Sequence, residues 1–345
     1  MPRIFRPMAA KLKWGILGTG NIARQFCQSV RHCRRGILAA VGSRTAAHAR
    51  QFARIFGIAA DYGSYRQLIA DPSVDAVYVA LPNSLHCHWT IAALRAGKHV
   101  LCEKPLALDA RQATGMFAAA KRARRLLCEA FMYRSHPITR AVLKAVRSGA
   151  IGELRLIRTS FCFRTRRVRG NVRFVRDLGG GALMDIGCYC VNFARLLAGN
   201  EPTAIHATAK MHPGGVDELV AADLVFPGGL ISQFVCSLGA QANNTAYLCG
   251  TEGYIEIPVP WKPRRRAKFI LTQGIVPKMD QAKPTAAPPR DVRYATADRE
   301  LFALEADDFA AAVFGNRPAP ISPADSLGNM RVLDEIRRQI GLEFD

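Results

Sequence analysis

Between residues 12 and 132, five short apolar runs alternate with helical segments, and this alternation restricts the chain more than any other feature. The runs are 12–18, "GILAAVGSR" (36–44), "VDAVYVALP" (74–82), "KHVLCEKP" (98–105) and "RLLCEAFM" (125–132). Helical patterns lie between them at Asn21–Arg34, Ala46–Phe56, "SYRQLIAD", "LHCHWTIAALRAG" and Ala110–Arg124, with a polar turn before Ser64. Nearly continuous apolar strands need cover on both faces. Crossover helices supply it in a doubly wound parallel sheet.

After about Tyr133 the pattern changes. A helix from Ile138 to Ser148 precedes "IGELRLIRTSFCF", which alternates as a strand, and a glycine-rich helix start follows at 179–198. "TAIHATAKM", "ELVAADLVFPGG", "LISQFVCSL" and "YIEIPV" read as an antiparallel sheet with one face covered. Residues 274–298 read as an excursion loop, and helices at about 301–314 and 323–340 follow. At 345 residues the chain suits two domains, 11–132 and 133–345, the second α+β with a large, mostly antiparallel, open-faced sheet.

The 48 basic residues outnumber the 27 acidic ones, a net charge of +21 that attracts anions of any kind. The basic runs at Arg31–Arg35, Lys121–Arg125, Arg164–Arg176 and Lys262–Arg266 carry no helix-turn-helix, zinc-finger or RNA-motif pattern, so no nucleic-acid partner is expected. No apolar stretch reaches the ~20 residues of a membrane span. The first ten residues lack the apolar core of a secretory leader, and Met8 is a second candidate start. Ten scattered cysteines without a Cys-x-x-Cys read as reduced core thiols of a cytoplasmic protein.

Gly18-Thr19-Gly20-Asn21-Ile22-Ala23 sits between the first strand and the first helix. Gly18 allows a tight turn, Gly20 admits a pyrophosphate, and Ala23 lets the helix pack close to the sheet. A purely structural βα turn has the same pattern, but the surrounding strand–helix order favours a dinucleotide. At the end of the second strand stands Ser43-Arg44, where an NAD site usually places a carboxylate on the ribose. A hydroxyl and a guanidinium suit a 2′-phosphate, so NADP is favoured over NAD, with His48 one turn further on as a weaker candidate. Arg44 as a solvated loop cation is the plainer alternative. His86-Cys87-His88 are helical neighbours that point apart, so no metal site is expected.

Three further stretches resemble the Gfo/Idh/MocA oxidoreductase family: residues 74–107, "EAFMYRSHP" (129–137) and "GGGALMDIGCYCVN" (179–192). The first carries that family's Pro-Asn…His…Ala-Gly-Lys-His-Val…Glu-Lys-Pro segment nearly residue for residue. With the glycine turn, the likeness spans most of residues 12–200. Asp185-x-Gly-x-Tyr189 is similar to the branch of glucose-fructose oxidoreductase, dihydrodiol dehydrogenase and NADP-dependent xylose dehydrogenase. Inositol dehydrogenases place His at the position of Tyr189.

The resemblance implies a Rossmann domain for NADP, with Leu81, Pro82, Asn83, His86, Glu103 and Lys104 at the cofactor. It implies a sugar or polyol as substrate, and a homodimer or homotetramer formed through the C-terminal sheet. It places Lys104 in the active site. Asp185 and Tyr189, four apart on a helix, share a face. Tyr189 would exchange the substrate's hydroxyl proton, its pKa lowered by Lys104, while Asp185 holds a sugar hydroxyl and orients Lys104. Six arginines in "RTRRVRGNVRFVR" (164–176) read as a solvated loop or as a phosphate reader, which leaves open a phosphorylated or nucleotide-linked keto-sugar. A dinucleotide-sensing regulator without turnover is the other class, and the presence of both Lys104 and Tyr189 speaks against it.

Overall fold

In the computed structural model, which describes residues 11–274, 288–315 and 317–344, the apolar runs of the N-terminal half become parallel strands. Strands β1 (Leu12–Leu17), β2 (Gly36–Gly42), β3 (Ala60–Tyr62), β4 (Ala76–Val79), β5 (His99–Glu103) and β6 (Leu127–Ala130) alternate with five helices. These are α1 (Asn21–Val30), α2 (Ala46–Phe56), α3 (Tyr65–Ala70), α4 (His86–Arg95) and α5 (Ala110–Ala123). The sheet order is β3-β2-β1-β4-β5-β6. The order reverses between β1 and β4, which opens a crevice beyond the strands' carboxyl ends. The polar turn expected before Ser64 contains β3, whose three half-buried residues are too few to show a period.

The second half contributes α6 (Pro137–Arg147), β7 (Leu154–Cys162), α7 (Cys188–Ala198), β8 (Ala204–His212), β9 (Val216–Val225), β10 (Ile231–Ser237) and β11 (Ala246–Gly250). β12 (Gly253–Ile257), β13 (Arg266–Gln273), β14 (Arg290–Thr296), α8 (Leu301–Val313) and α9 (Pro323–Gln339) complete it. Its sheet runs β14-β13-β12-β11-β7-β10-β9-β8 and is antiparallel except where β7 lies beside β10. The excursion expected over 274–298 is corrected in part, because Arg290–Thr296 pair with β13 at the sheet edge. Nearly every residue of β14 is exposed, so no apolar alternation marks it. β13 begins inside a basic run and is equally hard to see. Residues 275–287 lie outside the described residues.

One face of this sheet is covered, while Ile231, Val292 and Tyr294 stand exposed on the other. The chain's last helices cross back to the first sheet: α8 packs on α1 and α9 on α5. Trp14 of β1 is thereby enclosed, edge-on to Phe26 at 5.4 Å and tilted against Phe309 of α8 at 5.2 Å. The helical stretch Arg176–Ala198 has the length and hydropathy of a membrane span, and 83% of its apolar window is buried inside the protein. All ten cysteines are free thiols, eight of them buried.

Candidate active site

The two glycines after β1 do different things. Gly18 has φ +101°, and a Cβ there would stand 2.5 Å from the Ala80 carbonyl oxygen. Only glycine fits that turn. Gly20 has φ −72°, and a Cβ there would meet nothing within 4 Å. The fold does not require glycine at that position. The open space in front of it faces the first turn of α1, where the N–H groups lack helical partners. That is the room and the polarity a dinucleotide diphosphate needs. Gly20, Asn21 and Ile22 line one lip of a cleft of about 360 Å³, and Leu81, Pro82 and Asn83 line the other. Thr19 lies in the turn itself. Ser43 is buried just past β2, Arg44 is exposed beside it, and both lie outside the cleft walls. His48 is exposed on α2 and donates its backbone N–H to the Thr45 hydroxyl at 3.3 Å.

At the inner end of the cleft Glu103, Lys104, Asp185 and Tyr189 come together. Lys104 follows β5, and its peptide bond to Pro105 is cis. Its ammonium donates to the Asp185 backbone oxygen at 2.7 Å and lies 3.4 Å from Oδ1 of the same residue. Arg173 Nε donates to Asp185 Oδ2 at 2.5 Å. Burial alone would raise the Asp185 pKa, but Lys104 and Arg173 outweigh it and hold the carboxylate below its ordinary range. Burial would lower Lys104, and Asp185 outweighs that in turn, so the ammonium is held above its usual value. The Glu103 carboxyl is pushed up by burial and accepts the Tyr78 hydroxyl proton in a short hydrogen bond.

Two expectations need correction. Lys104 does not lower the Tyr189 pKa. Its ammonium stands over the ring face, 5.2 Å from the centroid, while the hydroxyl points to Met132 Sδ at 3.3 Å. Burial, and after it the nearby Glu103, raises the phenol well above its ordinary 10.0. His86 is fully buried and absent from the cleft walls. Its Nδ1 lies 2.9 Å from the Pro105 carbonyl oxygen and its Nε2 2.9 Å from that of Leu81. Burial brings its pKa down to about 4, so the ring is neutral and its single N–H donates to one of the two carbonyls. The ring sits between the Leu81–Asn83 lip and the Lys104 loop.

Several site residues are not in the sequence-based set. The loops that carry Lys104 and Asp185 each hang from a buried carboxyl group: Leu106 N–H donates to Glu129 Oε1 at 2.9 Å, and Leu183 N–H to Asp217 Oδ2 at 2.6 Å. Burial raises these groups to about 7 and about 6. Asp217 explains a glycine, since a Cβ on Gly181 (φ +115°) would fall 2.0 Å from its Oδ1. The chain then enters one turn of π-helix, Leu183–Gly187, which delivers Asp185 and Tyr189. Phe161 packs edge-on against Tyr189 at 5.4 Å and stacks on Trp261 at 5.7 Å, fixing the tyrosine ring. Phe161 on β7 and Phe163 just past its end stand two apart and carried a period-2 signal for this wall. Lys262 lay inside a basic run that looks solvated, and so did Arg173, which only the family resemblance marks, with Asn171, as part of an Asn-x-Arg. Among the described residues, no group of three or more His, Cys, Asp or Glu is placed to hold a metal ion.

Comparison with known proteins identifies relatives over nearly the whole chain. Residues 12–131 match the family model described as "Oxidoreductase family, NAD-binding Rossmann fold", and 139–256 match the "GFO/IDH/MocA C-terminal domain". An uncharacterized oxidoreductase of Rhizobium meliloti is 37% identical over 333 residues, covering 95% of this chain and 96% of the relative. Trans-1,2-dihydrobenzene-1,2-diol dehydrogenase of Xenopus laevis is 33% identical over 342 residues, covering 96% and 99%. The crystal structure of aldose-aldose oxidoreductase from Caulobacter crescentus, complexed with glycerol, superposes with a TM-score of 0.84 at 31% identity, covering 95% and 97%. That of a 3-ketoreductase from Actinomadura kijaniata with NADP and TDP-benzene gives 0.84 at 29% identity, covering 96% and 98%.

Proposed function

This chain belongs to the Gfo/Idh/MocA oxidoreductase family, and on that premise we propose that it transfers a hydride between NADP(H) and a carbohydrate or related alicyclic alcohol or ketone. One observation carries the reading: Lys104, Asp185 and Tyr189 converge at the inner end of the cleft whose outer lip is the open turn at Gly20. The nucleotide-binding residues are Gly18 to Ile22 and Leu81 to Asn83, with Ser43 and Arg44 just past the end of β2 as the candidates for a 2′-phosphate. Residues 11–132 form the cofactor domain and 133–345 the substrate and assembly domain.

The bound dinucleotide supplies or takes up the hydride. The protein's part is the proton. The Tyr189 hydroxyl is kept protonated by burial, so in reduction it donates its proton to the carbonyl oxygen of the substrate. The Lys104 ammonium, fixed by Asp185, stabilises the negative charge developing on that oxygen. Asp185 and Arg173 offer an acceptor and a donor to neighbouring hydroxyls. The same arrangement runs in reverse for oxidation, with Tyr189 taking up the substrate's hydroxyl proton.

Arg164, Arg166, Arg167 and Arg169 are exposed, and none has an ion-pair partner among the described residues. This favours, as a second reading, a keto-sugar bearing phosphate or a nucleotide. The bare sheet face supports a homodimer or homotetramer, and ten free cysteines support a cytoplasmic location. A panel of free, phosphorylated and nucleotide-linked sugars, followed at the nicotinamide absorbance band, tests the activity. Turnover of at least one member is expected. Dinucleotide binding with no turnover of any member would favour the sensor.

A further inference from the structure

Lys262 is the cleft's one lining cation without a carboxylate partner among the described residues. Lys104 and Arg173 share Asp185, whereas the Lys262 ammonium has only Gln25 Oε1, at 3.4 Å. Solvent reaches it, yet its pKa is lowered, first by crowding among protein atoms and then by the nearby Lys104 ammonium. Its backbone position is fixed by buried neighbours. Pro260, Trp261 and Pro263 are all buried, and Trp261 Nε1 donates to the Ser160 carbonyl oxygen at 2.8 Å. The three arginines that follow stay exposed, and Lys262 alone of that run lines the cleft.

Gln25 lies on α1 one turn beyond Asn21, so Lys262 reaches from the second domain across the crevice to the helix that receives the diphosphate. Lys104, Arg173 and Lys262 face two carboxyl groups, Asp185 and Glu103, of which burial pushes Glu103 toward its neutral form. The cleft therefore carries an excess of positive charge beside the open turn at Gly20. We propose that Lys262 is a strap across the diphosphate of the bound dinucleotide, supplied by the second domain to a site otherwise built from the first. This rests on the dinucleotide reading above and adds a residue to it. The substrate approaches the other flank, where Tyr189 and Asp185 stand.

The diphosphate is common to NADPH and NADH, which separates Lys262 from Arg44. Fluorescence titration of both dinucleotides, and of adenosine 2′-monophosphate, should be made on the unmodified protein and on Lys262→Gln and Lys262→Arg. Lys262→Gln is expected to weaken NADPH and NADH by the same factor, about 5- to 30-fold, as for a charge-assisted hydrogen bond. Lys262→Arg should recover most of the loss, and adenosine 2′-monophosphate should bind all three proteins alike. Unchanged binding of both dinucleotides to Lys262→Gln overturns the strap and leaves the dinucleotide site standing. A loss confined to the KM of an anionic sugar would also overturn it, assigning Lys262 to the substrate. If the unmodified protein binds neither dinucleotide, both readings fall together.

Discussion

On the N-terminal wall of the cleft, the groups offered to a ligand are mostly backbone: the turn at Gly18, the open approach at Gly20 and the free amides of the first turn of α1. On the facing wall they are side chains, held by partners distant in sequence. Lys104 and Arg173 meet on Asp185, Phe161 and Trp261 fix Tyr189, and Asp217 suspends the turn before them. A backbone wall is specified by a short motif and accepts one kind of ligand. A side-chain wall is assembled from five or six places in the chain and decides the chemistry done there. Substitutions on the two walls should therefore separate binding from turnover.

The largest separation is expected at Lys104. Lys104→Ala should lower turnover by ~10²–10⁴-fold while dinucleotide affinity stays within about twofold. Combined with Tyr189→Phe it should be little worse than either change alone, because the two act in one step. An additive double mutant would show that they serve different steps.

The glycines divide the first wall itself. Gly18→Ala places a Cβ against the Ala80 carbonyl in a left-handed backbone and should cost about 2–4 kcal/mol of stability in denaturant unfolding. Gly20→Ala meets no protein atom and should change stability by no more than ~0.5 kcal/mol, yet weaken dinucleotide binding about tenfold. Equal stability losses at the two positions would erase the distinction. At the rim, Arg44→Ala should weaken NADPH by about 1.5–3 kcal/mol and leave NADH unchanged. Equal affinities for both cofactors in the unmodified protein would remove Arg44 from the site.

A smaller effect concerns the buried His86 ring between the Leu81–Asn83 lip and the Lys104 loop. His86 titrates at about 4 when folded and ordinarily at 6.5, so the unfolded chain binds more protons between those values. Stability from this group is complete above pH 6.5 and is lost as pH falls, by about 2 kcal/mol at pH 5. Asp217 and Glu129, with raised pKa values, change stability in the opposite direction over the acid range. The comparison is therefore between proteins: urea unfolding at pH 7 and pH 5 should show a smaller acid loss for His86→Gln than for the unmodified chain. Equal losses would place His86 in a different protonation state.

The sequence carries these walls unequally. The glycine turn, the strand ending at Lys104 and the helix bearing Asp185 and Tyr189 each sit in one contiguous stretch whose local pattern is strong. Asp217 lies on another strand, more than thirty residues beyond the turn it holds, and an isolated buried acid leaves no period to read. Lys262 stands in a run of cations where only the fold shows which one turns inward. The return of α8 onto Trp14 likewise depends on Phe309 meeting a strand nearly three hundred residues earlier. The direction of the Tyr189 pKa also required the structure. The resemblance that puts Lys104 and Tyr189 in one active site suggested that the lysine lowers it, whereas the ammonium faces the ring and burial dominates.

That last point makes Tyr189 the place to test the whole arrangement. The measurement is the pH dependence of carbonyl reduction by the unmodified enzyme and by Tyr189→Phe, with NADPH affinity determined in parallel. The expected result is a rate that shows no loss attributable to Tyr189 below about pH 10, because the buried phenol keeps its proton. Tyr189→Phe should fall by ~10²–10⁴-fold at every pH with NADPH binding intact. Near-normal turnover by Tyr189→Phe would contradict the account and assign the proton to another group.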